Sequence, residues 1–146
     1  CVPLIGMGQI ETKKEYFENG QLSSELTYKN GERDGLSRFW YPNGELKSEV
    51  NYKDGYMYGL GREWYANGKL KSKANYIKDE WDCSFKLYYE NGLLKGEGNV
   101  NDGNEEGRHL EWHENRQLKL EVYYKGDTEI ISKKCWDEEG NEIECE

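Results

Sequence analysis

Two histidines, four cysteines and 29 acidic residues are the side chains of this sequence with the most chemistry to offer. His109 and His113 stand four apart. In a strand they share a face but sit about 13 Å apart, at about 3.3 Å per residue. That is too far for a shared metal, and neither has Cys83 or a serine at a zinc or triad spacing. A glycosidase needs one carboxylate pair in a cleft, whereas the carboxylates here are spread along the whole chain. The sequence therefore predicts no enzyme: no catalytic residues, no metal and no cofactor.

The cysteines carry more. Cys135 and Cys145 flank Gly140, five residues to each side. A three-residue hairpin loop centred on Gly140 would set them directly opposite, within reach of a disulfide. That bond predicts an oxidising compartment, and two free thiols in the cytoplasm is the alternative. Cys1 opens the sequence without Met, as an acylated lipoprotein does after its signal is removed. The other reading of Cys1 is a trimmed chain end. Together these readings favour the cell envelope, as a periplasmic protein or surface lipoprotein, over the cytoplasm. Cys83 has no account at this level.

The elements that position these residues follow from a period. Phe17-Glu18-Asn19-Gly20, Tyr41-Pro42-Asn43-Gly44, Tyr65-Ala66-Asn67-Gly68 and Tyr89-Glu90-Asn91-Gly92 recur every 24 residues. The same step reaches His113-Glu114-Asn115-Arg116 and Asp137-Glu138-Glu139-Gly140. An aromatic residue precedes each tetrad: Tyr16, Trp40, Trp64, Tyr88, Trp112 and Trp136. Leu22, Leu46, Leu70, Leu94 and Leu118 follow in phase, and so do Tyr28, Tyr52, Tyr76, Val100 and Tyr124. A second turn falls at Asn30-Gly31, Asp54-Gly55, Lys78-Asp79, Asp102-Gly103 and Gly126-Asp127. Asn-Gly and Asp-Gly are hairpin signals, because a type I′ turn needs φ > 0 at both central residues.

The spacing thus predicts an all-β protein, an antiparallel meander of tandem β-hairpins in one elongated layer. Residues 1–15 form an N-terminal segment or cap, and residues 16–146 hold six tandem 24-residue repeats, the last truncated. A two-residue turn at Asn43-Gly44 places Tyr41 opposite Leu46, Trp40 opposite Lys47, Phe39 opposite Ser48 and Arg38 opposite Glu49. By repetition Trp64 meets Lys71, Tyr88 meets Lys95 and Trp112 meets Lys119, as cross-strand aromatic–cation pairs. Lys78-Asp79 and Asn115-Arg116 lack the glycine and are expected to turn differently.

The unit resembles MORN repeats, in the bacterial variant that reads Tyr-x-Asn-Gly-x-Leu-x-x-Glu-x-x-Tyr-x-x-Gly-x-x-x-Gly. It is legible from Tyr41 to Tyr52, then in Gly55 and Gly59. The closing glycine recurs as Gly35, Gly59 and Gly107, with Cys83 and Ile131 in its place elsewhere. The resemblance implies a YwqK-family antitoxin-like protein that neutralises a partner by binding. MORN repeats elsewhere imply membrane tethering or lipid-kinase regulation. A kinase is excluded, because Gly59-Leu60-Gly61-Arg62 and Gly96-Glu97-Gly98-Asn99 lack the third glycine and lysine of a phosphate loop.

Composition agrees with a thin sheet. Hydrophobic residues are 35% and charged residues 34%, yet aromatics reach 14%, too many for a disordered chain. The net charge of −9 disfavours nucleic acid and anionic lipid, and favours a basic protein partner. A membrane would be reached only through a lipid anchor on Cys1. The expected function is a non-enzymatic scaffold for protein–protein interaction, antitoxin-like or surface-anchored. The alternative is a structural lipoprotein that binds glycan or lipid. Trp40, Trp64, Tyr88, Trp112 and Trp136 are the candidate binding column, with packing of the sheet as the competing role. Free terminal strands could also pair end to end into a homo-oligomer.

Overall fold

The computed structural model describes residues 8–126 and 129–146, so Cys1 and the Gly126-Asp127 turn fall wholly or partly outside the described residues. No helix occurs among them. The strands are β1 (Ile10–Tyr16), β2 (Leu22–Lys29), β3 (Glu32–Arg33), β4 (Gly35–Trp40), β5 (Leu46–Lys53), β6 (Tyr56–Trp64) and β7 (Leu70–Ile77). Then come β8 (Glu80–Tyr88), β9 (Leu94–Asn101), β10 (Asn104–Trp112), β11 (Leu118–Lys125), β12 (Glu129–Trp136) and β13 (Glu142–Ile143). They make one 13-stranded antiparallel sheet in chain order, with the short β3 extending β4 beside β2. The predicted meander is the observed fold.

The two turns of the unit differ. Asn30-Gly31, Asp54-Gly55 and Asp102-Gly103 have φ > 0 at both residues, as a type I′ turn requires. At the Asn43-Gly44 turn only Gly44 is left-handed, at φ 87°. Gly44 N–H donates to Tyr41 O at 2.9 Å, and Tyr41 N–H to Glu45 O at 2.8 Å. This is a three-residue loop, a type I turn closed by a left-handed glycine, and not the expected two-residue turn. The register corrects accordingly. Arg38 still faces Glu49 and Phe39 faces Ser48, but Trp40 faces Leu46. Likewise Trp64 faces Leu70, Tyr88 faces Leu94 and Trp112 faces Leu118. The lysines go elsewhere: Lys47 and Lys95 lie over the rings of Tyr41 and Tyr89, at 5.8 and 5.7 Å. Lys71 and Lys119 pair with Glu63 and Glu111.

The turns without glycine do not change type. Lys78 and Asp79 take φ of 50° and 71°, and Arg116 takes 73° in the place of the loop glycine. Pairing on both sides forces the geometry, so the residue bears the strain instead.

One face carries the thin core. Leu26, Val50, Ala74 and Val122 are buried 24 residues apart, with Gly98 at the fourth position. Their cross-strand partners are Ser37 for Val50, Gly61 for Ala74, Phe85 for Gly98 and His109 for Val122, with small set against large at Ser37–Val50 and Phe85–Gly98. A Cβ on Gly98 would lie 2.6 Å from the His109 ring, and one on Gly61 would lie 2.6 Å from the Tyr76 ring. Where Val100 replaces the recurrent tyrosine, other rings fill in. Trp81, Phe85, His109 and Tyr124 form a run with centroid separations of 5.0, 5.4 and 4.8 Å.

Candidate binding row at the turn edge

Trp40, Trp64, Tyr88, Trp112 and Trp136 end β4, β6, β8, β10 and β12. Antiparallel alternation puts all five at one edge of the sheet, beside the three-residue loops. Successive members are two strands apart, about 9.5 Å. All five are half-buried. Each is cross-strand from Leu46, Leu70, Leu94, Leu118 or Glu142.

The loops beside this row are cross-linked unit to unit. Tyr41 Oη donates to Trp64 O at 2.9 Å, Tyr65 Oη to Tyr88 O at 2.8 Å and Tyr89 Oη to Trp112 O at 2.7 Å. His113 takes the tyrosine's place, with Nε2 at 2.9 Å from Trp136 O. A second ladder runs through the loop asparagines. Asn19, Asn43, Asn67 and Asn115 donate from Nδ2 to the carbonyls of Pro42, Ala66, Glu90 and Glu138. Asn91 donates to the Glu114 carboxylate. Each of these asparagines also accepts, at Oδ1, the amide of the residue two further on. One amide side chain thus closes its own loop and ties it to the next. This ladder is the functional content of Tyr-x-Asn-Gly, and the 24-residue recurrence of Tyr and Asn was its signal in the sequence.

The last loop breaks both ladders. Asp137 and Glu139 stand where Tyr and Asn stand elsewhere, and neither carboxylate can donate. Asp137 instead accepts from Asn141 and from the Glu139 amide, and these bonds, Asn141's side chain first, hold its carboxyl below the ordinary range.

His109 is buried, with Nε2 at 2.6 Å from Asn99 O, so both histidines serve the sheet's own hydrogen bonding. Cys135 and Cys145 are joined by a disulfide across a Cα separation of 5.4 Å. They are not directly opposite: Cys135 pairs with Ile143, so the bond is diagonal. Cys83 is a free, exposed thiol whose φ of 68° matches Gly59 at 76° and Gly107 at 70°. It therefore occupies a bulge position built for glycine, and Asp82, by hydrogen bond and charge, pushes its pKa up. That opposes thiolate chemistry.

Residues 12–30, 33–54 and 57–78 match the family described as the MORN repeat variant. Residues 12–78 thus carry repeats of the MORN type. Each matched segment is one hairpin with its three-residue loop, and the hairpins β8–β9, β10–β11 and β12–β13, beyond the matched residues, continue the same loop geometry. No curated protein matches the chain.

Proposed function

We propose that the chain is a MORN-type scaffold that works by binding a protein partner, without catalysis. The observation that supports this is the doubly laddered edge. Tyr and Asn side chains lock each loop to the next, so a row of half-buried aromatic rings is held at a repeat of about 9.5 Å. A rigid row of that kind offers contact area with little ordering cost on binding. Acidic residues outnumber basic ones, 29 to 20, which favours a partner with a basic face. Neutralisation of that partner, in the manner of a YwqK-type antitoxin, is the specific form proposed. A disulfide between Cys135 and Cys145 favours an oxidising compartment.

The test is capture from an extract of the source cells, with wild type against Trp64→Ala and Trp112→Ala of unchanged circular dichroism. The expected result is one protein retained by wild type, weakened by the substitutions and by salt. Glycan or lipid retained in its place, insensitive to salt, would overturn the reading in favour of the lipoprotein alternative.

A further inference from the structure

The face opposite the core carries a row of charges from β1 to β9. Lys14 faces Glu25, Glu25 faces Arg38, Arg38 faces Glu49 and Glu49 faces Arg62. The ion pairs follow: Glu25 reaches Lys14 at 3.0 Å and Arg38 at 3.8 Å, and Glu49 reaches Arg38 at 3.0 Å and Arg62 at 3.3 Å. Further on, Glu97 pairs with Lys86 and Glu121 with Arg108. Glu25 and Glu49 are each set between cations of both neighbouring strands, whereas Glu97 and Glu121 each face Leu110 on one side.

The third unit breaks the rule. Its position is Lys73, which faces Arg62 on one side and Lys86 on the other. Three cations stand side by side in a protein of net charge −9. Arg62 and Lys86 are already engaged outward by Glu49 and Glu97, while among the described residues Lys73 has no carboxylate within ion-pair distance. The same three residues line a hollow of about 230 Å³, together with Leu60, Asn75 and Ser84. Glu49 is shared between Arg38 and Arg62, and Glu97 serves Lys86, so the charge of Lys73 is left without a carboxylate beside it among the described residues.

We infer that this notch seats one carboxylate from outside the chain, an acidic side chain of the protein partner. The neighbouring units show the group that is missing: at Glu25 and Glu49 a carboxylate bridges the flanking cations, and here none does. A single carboxylate would give Lys73 the partner it lacks, and Asn75 and Ser84 supply neutral donors beside it. This rests on the protein-scaffold reading and sharpens it. A partner that is basic overall, with one acidic residue, is attracted by the acidic surface and held in one register by Lys73.

The test uses the full chain, ¹⁵N-labelled, at low ionic strength. Two probe peptides are titrated: acetyl-Lys-Lys-Gly-Glu-Gly-Lys-Lys-amide and its counterpart with Gln for Glu. The expected result is amide shifts at Arg62, Lys73, Asn75, Ser84 and Lys86 with the Glu peptide, several-fold larger than with the Gln peptide. Lys73→Glu, which restores the alternation and keeps the fold, should bring the two peptides to the same response. Lys73→Gln, which only removes the charge, should weaken the difference. Equal maps for both peptides, or a difference that survives Lys73→Glu, overturns the inference. So do shifts at these amides with inorganic phosphate or anionic vesicles but not with the Glu peptide. A cellular partner captured equally by wild type and Lys73→Glu overturns the notch and leaves the scaffold standing. Glu-specific shifts with no captured protein support the notch and overturn the scaffold.

Discussion

Arg116 shows how far the sheet can impose a conformation on a residue. Its φ of 73° is where five of the six equivalent loops have glycine. A β-carbon in that region costs about 1–2 kcal/mol, and glycine gives back part of the gain through its freer unfolded chain. Arg116→Gly should therefore stabilise the protein by about 0.5–1 kcal/mol and raise Tm by about 2 °C. Thermal unfolding measures this, and a lower Tm would show that Arg116 makes a contact worth more than the strain. The expectation of a different turn fails at Arg116 and at Lys78-Asp79 for the same reason. A missing glycine reads as a different turn only if local preference decides, and here strand pairing on both sides decides.

At the scale of the element, the period was plain because turn dipeptides and aromatic residues recur in phase. The register was not. Asn43-Gly44 fits a two-residue type I′ turn and a three-residue loop equally well as a dipeptide. What separates them is the Asn43 side chain, which caps its own loop and reaches Ala66 O, so that only Gly44 turns left-handed. That choice moved Trp40, Trp64, Tyr88 and Trp112 from a lysine to a leucine, and it set Trp136 opposite Glu142. The ladder itself supplies a gain-of-bond test. Phe17 stands at the tyrosine position but has no hydroxyl. Phe17→Tyr should place Oη near Trp40 O, as Tyr41 does with Trp64 O, and stabilise by about 1 kcal/mol. Chemical denaturation checks it, with Tyr65→Phe losing a similar amount. The core gives the opposite test. Gly98→Ala drives a methyl into the His109 ring, which is held by Asn99 O, and should destabilise by about 1–3 kcal/mol. Paired with His109→Ala, most of that loss should vanish, because the clash has gone.

At the scale of the molecule, each hairpin touches only its neighbours, so stability is a chain of local terms and a disturbance at one end should fade with distance. The last hairpin is the place to see this. β12 and β13 share only two paired positions, Cys135 with Ile143 and Trp136 with Glu142, and Asp137 and Glu139 offer no donor to a further unit. The Cys135–Cys145 bond is therefore the main restraint on β13, closing a loop with a sequence separation of 10. Reduction should leave the far units untouched and open the near one. Amide hydrogen exchange after reduction should speed up by about tenfold or more in β12 and β13, less in β10 and β11, and not at all in β4 to β7. The near-end change should also appear in the emission of Trp136, which would be uncovered as β13 leaves. A uniform loss of protection along the sheet would mean that the hairpins unfold as one cooperative unit. The interfaces carried by the Tyr and Asn ladders would then exceed what each hairpin holds alone, and the rigid spacing of the aromatic row would depend on the disulfide at its end.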